Sequence, residues 1–505
     1  MSRLPRGWVE ATLEECCQII QGQSPPGDTY NELREGLPFF QGKTEFGDLY
    51  PTPRKWCSAP TKIALAQDVL ISVRAPVGPT NLCRAESCIG RGLAAVRALA
   101  GSSPRYILYA LRESAENLRQ IATGSTFEAI SGDDLRKHSI RVAPVAEQRR
   151  IVDQIEALFT DLDAAMAALK RVQANLKRYR ASVLKAACEG RLVPTEAELA
   201  RKQGRPYETG EQLLKRILRE RRARWEADQL AKMLASGKPP TNDDWKKKYK
   251  VPEPPDTSNL PGLPEGWTWA NIDIIAETVG GITKGQKRRL TDILRTVPYL
   301  RVANVQRGYL DLSEMKDIQA TEEEINDLRL QPNDILFNEG GDRDKLGRGW
   351  IWEGQIAECI HQNHVYRARL ITSDVEPRFV SYFANSAGRR YFMDEGKQTT
   401  NLASINLTKL RAFPVPTPPS TEQRRIVAEL QRQLEYCDFV VQSCELGVKR
   451  ASRLRQAILK RAFEGKLVPQ DPNDEPASVL LERIRAEREP DGPMNRKRKG
   501  KTKKA

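Results

Sequence analysis

The sequence predicts an α+β protein: two pseudo-symmetric mixed α/β units separated by two long helices that pair with each other inside one chain. Three observations predict it. The residues "EQRRIV" occur at 147–152 and again at 422–427, and the match runs without a gap from 147–194 to 422–469 at a constant offset of 275. Shorter matches precede it in order and at climbing offsets: "LPRGW" (4–8) with "LPEGW" (263–267) at 259, "LPFF" (37–40) with "VPYL" (297–300) at 260, "DVL" (68–70) with "DIL" (334–336) at 266, and "CI" (88–89) with "CI" (359–360) at 271. That is the pattern of a duplicated domain whose second copy gained small loop insertions, at a period far too long for a solenoid. Third, each copy of "EQRRIV" opens into a heptad run uninterrupted by proline.

Residues 1–143 and 263–417 hold short apolar runs broken by Gly and Pro, such as "DVLISVRAPVG", "LAAVRALA", "DILFNEGG" and "HVYRARLI", which read as strands of a mixed α/β domain. Residues 144–194 read as the first helical spacer. Ile151, Ile155, Leu158, Leu162, Ala165, Leu169, Val172, Leu176, Tyr179 and Val183 recur in alternating steps of four and three, a seam of about five heptads. Residues 195–262 form a charged, partly helical, then Pro-rich linker with a helix near 210–235. Residues 418–469 repeat the spacer with a more ragged seam: Ile426, Leu430, Leu434, Cys437, Val441, Cys444, Val448, Ala451, Leu454 and Ile458, interrupted by Gly447. Ser420 and Gln423 suggest a capping box at its start. Gly190 and Gly465 suit the position after the last turn of each helix. A rod with one apolar seam needs a partner, and the chain supplies a matching one; the alternative is a helix packed on its own globular unit. Residues 470–505 carry a short helix, where "ASVLLERIRAER" (477–488) echoes "GEQLLKRILRER" (210–221), and then a basic tail expected to be disordered.

The chain has 505 residues, a net charge of +15 and nine cysteines without a CxxC pair. The tail "NRKRKGKTKKA" accounts for seven of the positive charges, so about +8 stays with the rest, which favours a polyanionic partner, most often nucleic acid. The odd cysteine count argues against a secreted disulfide framework, and the first residues, "MSRLPRGWVE", lack a signal-peptide apolar stretch. The expectation is a cytoplasmic protein with no membrane partner, since no run of 18 apolar residues occurs.

Catalytic signatures are scarce. "GGITKGQK" (280–287) puts Gln286 where a P-loop needs Lys, and GxGxxG, GxSxG and HExxH are missing. Cys359, His361 and His364 in "CIHQNH" offer three metal-type ligands, but the first copy reads "CIGRGL" there, so an ordinary strand is the better reading and no metal is expected. Asp342 and Asp344 beside Lys345 resemble a nuclease cluster, yet a Gly-rich loop favours solvent or phosphate contact.

A basic, duplicated chain poor in such motifs points to binding. Reading bases takes Arg or Lys for guanine and Asn or Gln for adenine on loops that reach a groove, and phosphate contact takes Lys, Arg, Ser and Thr. In the first unit these are Gln21, Gln23, Ser24, Lys43, Thr44, Arg74, Ser125 and Thr126. In the second they are Lys284, Gln286, Lys287, Arg301, Asn304, Arg307, Asn338, Arg343, Lys345, Arg348, Thr400 and Asn401. No catalytic residue is assigned. Two other readings stay open: a coiled-coil scaffold without sequence preference, and a DNA-modifying enzyme whose site these motifs do not reveal.

"EQRRIV" opening a long helix, "GSTFEAIS" (124–131) and "TTNLASINLTKL" (399–410) upstream of the spacers, "AFEGKLVP" (462–469) closing the second, "LPEGW", and the linker "RARWEADQLAKML" (222–234) together resemble the specificity subunit of Type I restriction–modification enzymes, over nearly the whole chain. The resemblance implies two target recognition domains and two spacers packed as an antiparallel intramolecular coiled coil. Each domain would read one part of a split, asymmetric site in double-stranded DNA. The spacers would set the half-site separation and dock two modification (methyltransferase) subunits, which flip the target adenine. Restriction (translocase and endonuclease) subunits would complete the complex. The chain itself would bind no cofactor; S-adenosylmethionine, ATP and Mg would belong to the partner subunits.

Overall fold

The computed structural model describes residues 4–122, 128–285, 287, 289, 291–398 and 403–488. The chain divides into two compact units, one made of Met1–Arg171 with Cys444–Ala505 and the other of the continuous stretch Val172–Ser443. The division falls inside both long helices, Val145–Cys188 and Ser420–Phe463, so each unit holds part of each. Forty-four residues at 1.5 Å rise give helices of about 66 Å.

In the first unit an antiparallel ribbon joins Val9–Thr12 to Ser139–Val142. A four-stranded antiparallel sheet runs in the order Cys17–Gln21, Leu93–Ala98, Val69–Ser72, Thr80–Leu82. A five-stranded sheet runs Tyr30–Asn31, Lys55–Cys57, Leu37–Phe40, Ser87–Ile89, Ile63–Ala64, with Phe39 parallel to Cys88. The second unit repeats the plan. Thr268–Asn271 pairs with Pro414–Thr417, and a four-stranded sheet runs Ala276–Val279, Val365–Leu370, Ile335–Asn338, Gly349–Ile351. A smaller sheet of Lys316–Ala320, Arg295–Leu300 and Ile360–His361 keeps the parallel pair, Tyr299 with Ile360. "VLI" (69–71) and "ILF" (335–337) are continuously apolar because these strands are buried on both faces. The aspartate before each is buried and takes two hydrogen bonds from one arginine: Arg97 on Asp68 at 2.9 and 2.8 Å, Arg369 on Asp334 at 2.7 and 2.8 Å.

The repeated motifs meet in one place in each unit. Trp8 Nε1 donates to Glu147 at 3.0 Å, and Trp267 Nε1 donates to Glu422 at 2.8 Å. Burial raises both carboxyls above the usual glutamate range, against the lowering pull of the indole N–H. The next residue, Gln148, accepts from Ser103 N at 3.0 Å at the start of helix Pro104–Glu113; Gln423 accepts from Glu376 N at 2.8 Å at the start of helix Pro377–Asn385. Gly465 and Gly190, at φ +68° and +67°, end the helices as expected. A Cβ on Gly465 would fall 2.4 Å from Pro5, and one on Gly190 would fall 2.6 Å from Pro264 and 3.0 Å from Trp267. "LPxGW" thus packs on the start of one long helix and the end of the other in each unit.

Ion pairs show the same exchange of roles. Arg455 meets Asp163 in the first unit and Arg180 meets Asp438 in the second; the two aspartates, like the two arginines, stand 275 apart. Of the seam residues, Ile151, Ile155, Ile426, Leu430 and Ile458 are buried, and Leu158, Leu162, Leu169, Leu176, Leu434, Val441 and Val448 are half-buried. Val172 at 39% and Leu454 at 51% exposure depart from the expected seam. The Ser420–Gln423 capping box does not form: Gln423 Nε2 donates to Pro418 O, and Ser420 Oγ is buried without a partner.

The linker supplies helix Gly210–Ala235, which buries Leu213 and Ile217 in the core of the second unit; Trp225 stacks there on Trp245 at 6.0 Å. Helix Ala477–Arg488 likewise buries Leu480, Leu481 and Ile484 in the first. All nine cysteines are buried free thiols. No helix among the described residues is long and apolar enough to cross a membrane.

Candidate nucleic-acid interface

Close backbone approaches gather the loops at the ends of the strands. In the first unit a Cβ on Gly22 would fall 2.2 Å from Gly90 O, and one on Gly92 would fall 2.3 Å from Gln41 O. Gln23 N donates to Ile89 O at 3.0 Å, Gly90 N to Phe40 O at 2.8 Å, and Val73 N to Gly92 O at 3.0 Å. Residues 21–24, 41–47, 73–74 and 90–92 therefore form one rim, and only glycine fits where the chains cross. In the second unit a Cβ on Gly281 would fall 2.0 Å from His361 O. Ile282 N donates to His361 O, Gln362 N to Leu300 O, Glu339 N to His364 O and Ile405 N to Glu339 O, at 2.8 to 2.9 Å. Residues 280–285, 301–308, 338–348 and 361–364 form the matching rim.

On the first rim Gln21, Gln23, Lys43, Thr44 and Arg74 are exposed. Thr44 is tied to Glu45 at 2.7 Å, and Ser24 Oγ accepts from Arg91 N at 3.3 Å. On the second, Lys284 is exposed, and Arg343 is exposed but donates twice to Met393 O at 3.2 Å; Lys287, beyond the rim, is exposed too. Lys345 ion-pairs with Asp342, which holds that carboxyl below its usual range. Arg307 donates to Asn385 O at 3.2 Å and Arg348 to Val302 O at 3.3 Å, both half-buried.

Three residues lie differently from the expectation of free groove-reaching side chains. Asn304 is buried and donates to Asp311 O and Glu314 O at 2.9 and 3.0 Å. Asn338 is fully buried, with Nδ2 donating to Val302 O and Val305 O at 3.2 and 2.8 Å. Arg301 donates to Glu314 O at 3.1 Å. These side chains hold loop 301–314 in shape, and the amide donors of both asparagines are committed. Ser125, Thr126, Gln286, Thr400 and Asn401 lie outside the described residues, as does the basic tail beyond Arg488.

Sequence reasoning missed the 90–92 and 362–364 turns, which bring exposed Arg91 to one rim and the His364–Glu339 pair, 2.5 Å apart, to the other. The aligned "CIGRGL" and "CIHQNH" were the available signal. Cys359, His361 and His364 do not converge: His361 is buried with Nδ1 2.7 Å from Val365 O, and burial drives its imidazole down to about 4. No group of three metal-type ligands occurs among the described residues.

Comparison with known proteins bears on this geometry. Residues 5–172 and 264–437 each match the family model described as the Type I restriction modification DNA specificity domain. The specificity subunit of the Type I restriction enzyme EcoKI of Escherichia coli is 23% identical over 98% of this chain and 99% of its own length. The MjaX specificity subunit of Methanocaldococcus jannaschii, a provisional name, is 38% identical, but the match spans 31% of this chain and 38% of that protein. Among solved structures, the HsdS subunit of Thermoanaerobacter tengcongensis is 51% identical over 30% of this chain and 37% of its own, with a TM-score of 0.28.

Proposed function

We propose, on the premise that this chain belongs to the Type I restriction modification DNA specificity family, that its two rims read the two parts of one split target in double-stranded DNA. The chain is the sequence-specific DNA-binding subunit. Each domain presents its rim to one half-site, and unlike residues on like frames give unlike halves. The two long helices form one antiparallel coiled coil that fixes the half-site separation and docks two methyltransferase subunits, and restriction subunits join the larger assembly. S-adenosylmethionine, ATP and Mg act on those partners; the recognition role asks no catalytic step of this chain.

The observation that carries the reading is the duplicated clamp: the same tryptophan, glutamate, glutamine and glycine lock each domain to both helices. A domain so held cannot slide along its spacer, which makes the spacer a ruler. Four residues inserted into both helices, after Leu169 and after Cys444, add about 6 Å of rise. The half-sites should then move apart by about two base pairs, at about 3.4 Å each. Methylation mapping of cells carrying the variant with its methyltransferase partner tests this. Altered half-sites at an unaltered gap would overturn the ruler.

A further inference from the structure

One corner of each rim is built alike and carries a different side chain. In the first unit Leu93 N donates to Gly90 O at 3.0 Å, closing a four-residue turn with Arg91 at its second position. In the second unit Val365 N donates to Gln362 O at 2.8 Å, and Asn363 takes that position. The surrounding bonds fix the equivalence. Gly90 N donates to Phe40 O at 2.8 Å and Gln362 N to Leu300 O at 2.9 Å, each just past the parallel strand pair. Gln23 N donates to Ile89 O at 3.0 Å and Ile282 N to His361 O at 2.8 Å. Each residue of the turn stands 272 positions from its counterpart, one more than the 271 of the repeated "CI". Arg91 therefore answers to Asn363, where the sequence repeat alone pairs it with Gln362.

The corner is fixed and its tip is free. A Cβ on Gly90 would fall 3.2 Å from Gln41, and one on Gly92 2.3 Å from Gln41 O. Arg91 N is held by Ser24 Oγ at 3.3 Å. The Arg91 guanidinium is exposed and makes no ion pair or hydrogen bond with a described residue, and the adjoining loops present exposed Gln21, Gln23 and Gln41. Glu45, the one acid on that rim, is engaged by Thr44 Oγ1 at 2.7 Å and Gly42 N at 3.4 Å. Asn363 is half-exposed, and its side-chain amide has no hydrogen-bond partner among the described residues.

We propose that this corner is a base-reading position in both recognition domains, with Arg91 reading a guanine in one half-site and Asn363 an adenine in the other. The inference rests on the recognition reading above. A guanidinium presents two parallel N–H donors to guanine O6 and N7, and a carboxamide offers one acceptor and one donor to adenine N6 and N7. Phosphate is the other ligand an exposed arginine takes, and the duplication argues against it. The DNA backbone is the same in both half-sites, so a corner that anchored phosphate would need its cation in both copies. A corner that reads a base exchanges its side chain on an unchanged frame, as this one does.

The test uses the complex of this chain with its methyltransferase subunits. Methylation mapping of cells carrying R91N should show guanine replaced by adenine at one position of one half-site. N363R should show adenine replaced by guanine at one position of the other, with the gap unaltered in both. In titrations against the mapped duplex and a set with each position substituted in turn, the unsubstituted complex should lose about tenfold to a hundredfold in affinity when one guanine is changed. R91A should be indifferent at that position alone, and R91K, which keeps the charge without the fork, should discriminate less there at an unchanged salt slope. Equal weakening of R91A on every duplex, with the slope of log K against log salt lowered by about one, assigns Arg91 to phosphate and overturns the proposal. Unchanged discrimination in R91A, or unchanged targets in both exchange variants, overturns it too. Should the unsubstituted complex fail to prefer the mapped duplex over a scrambled one, the recognition reading fails first and this inference falls with it.

Discussion

Replacing Trp267 by Phe removes the indole N–H that Glu422 accepts at 2.8 Å, while Glu422 Oε2 keeps its bond from Glu196 N at 2.8 Å. A lost hydrogen bond to a buried charged group costs about 1.5–3 kcal/mol. The missing ring removes roughly 40 Å² of burial, about 1 kcal/mol at about 25 cal/mol per Å². Together these come to about 2.5–4 kcal/mol at neutral pH. Burial already raises the Glu422 carboxyl, and the indole opposes that rise, so W267F lifts it further. A carboxyl raised in the folded state contributes stability that is fully present below its unfolded value, about 4.3, and is lost as pH rises through its folded value. The destabilisation should therefore be smallest in acid, where only the packing deficit counts, and largest above the folded value. Urea unfolding followed by circular dichroism at about pH 4.5 and pH 7.5 measures it, and W8F is the matched variant for Glu147. A cost below about 1 kcal/mol near pH 7.5, or one that does not change with pH, would refute the account of the clamp.

Two further outcomes follow from the same packing and charge. G447A should stabilise the chain by up to about 1 kcal/mol through helix propensity, because the added Cβ meets only the flexible end of Leu169 at 2.9 Å; calorimetry would show the transition rising. Charge reversal at Arg343 and Lys345 should weaken DNA binding by the assembled complex and flatten its salt dependence by about one unit of slope for each phosphate released from its cation, read from titrations across salt concentrations.

Local signals were legible and distant ones were not. The two helices could be read because an unbroken heptad run is a short-range pattern, and Gly190 and Gly465 end them as a left-handed cap requires. The rims could be read because duplication kept their order along the chain. "EQRRIV" looked like a helix opening, yet its glutamate answers a tryptophan 139 residues upstream in the first copy, and no local pattern reports such a partner. Asn304 and Asn338 have the chemistry of adenine readers; which asparagines hold a turn and which face outward is decided by neighbouring carbonyls that the sequence does not place. Val172 and Leu454 fit the heptad on paper and lie exposed in space, which the spacing of apolar residues alone does not report.

The unit that contains Trp8 is assembled from two stretches that flank the other unit along the chain, whereas that other unit is one continuous stretch. A ribosome therefore delivers the stretch Val172–Ser443 in one piece, ready to fold as it emerges. The earlier stretch of the first unit must wait: Trp8, Ile151 and Ile155 pack with Ile458, Phe463 and Leu480, which are synthesised only after the intervening unit. Until then its apolar surface is open to solvent and to other nascent chains, so slow translation or early release harms the oldest part of the protein most.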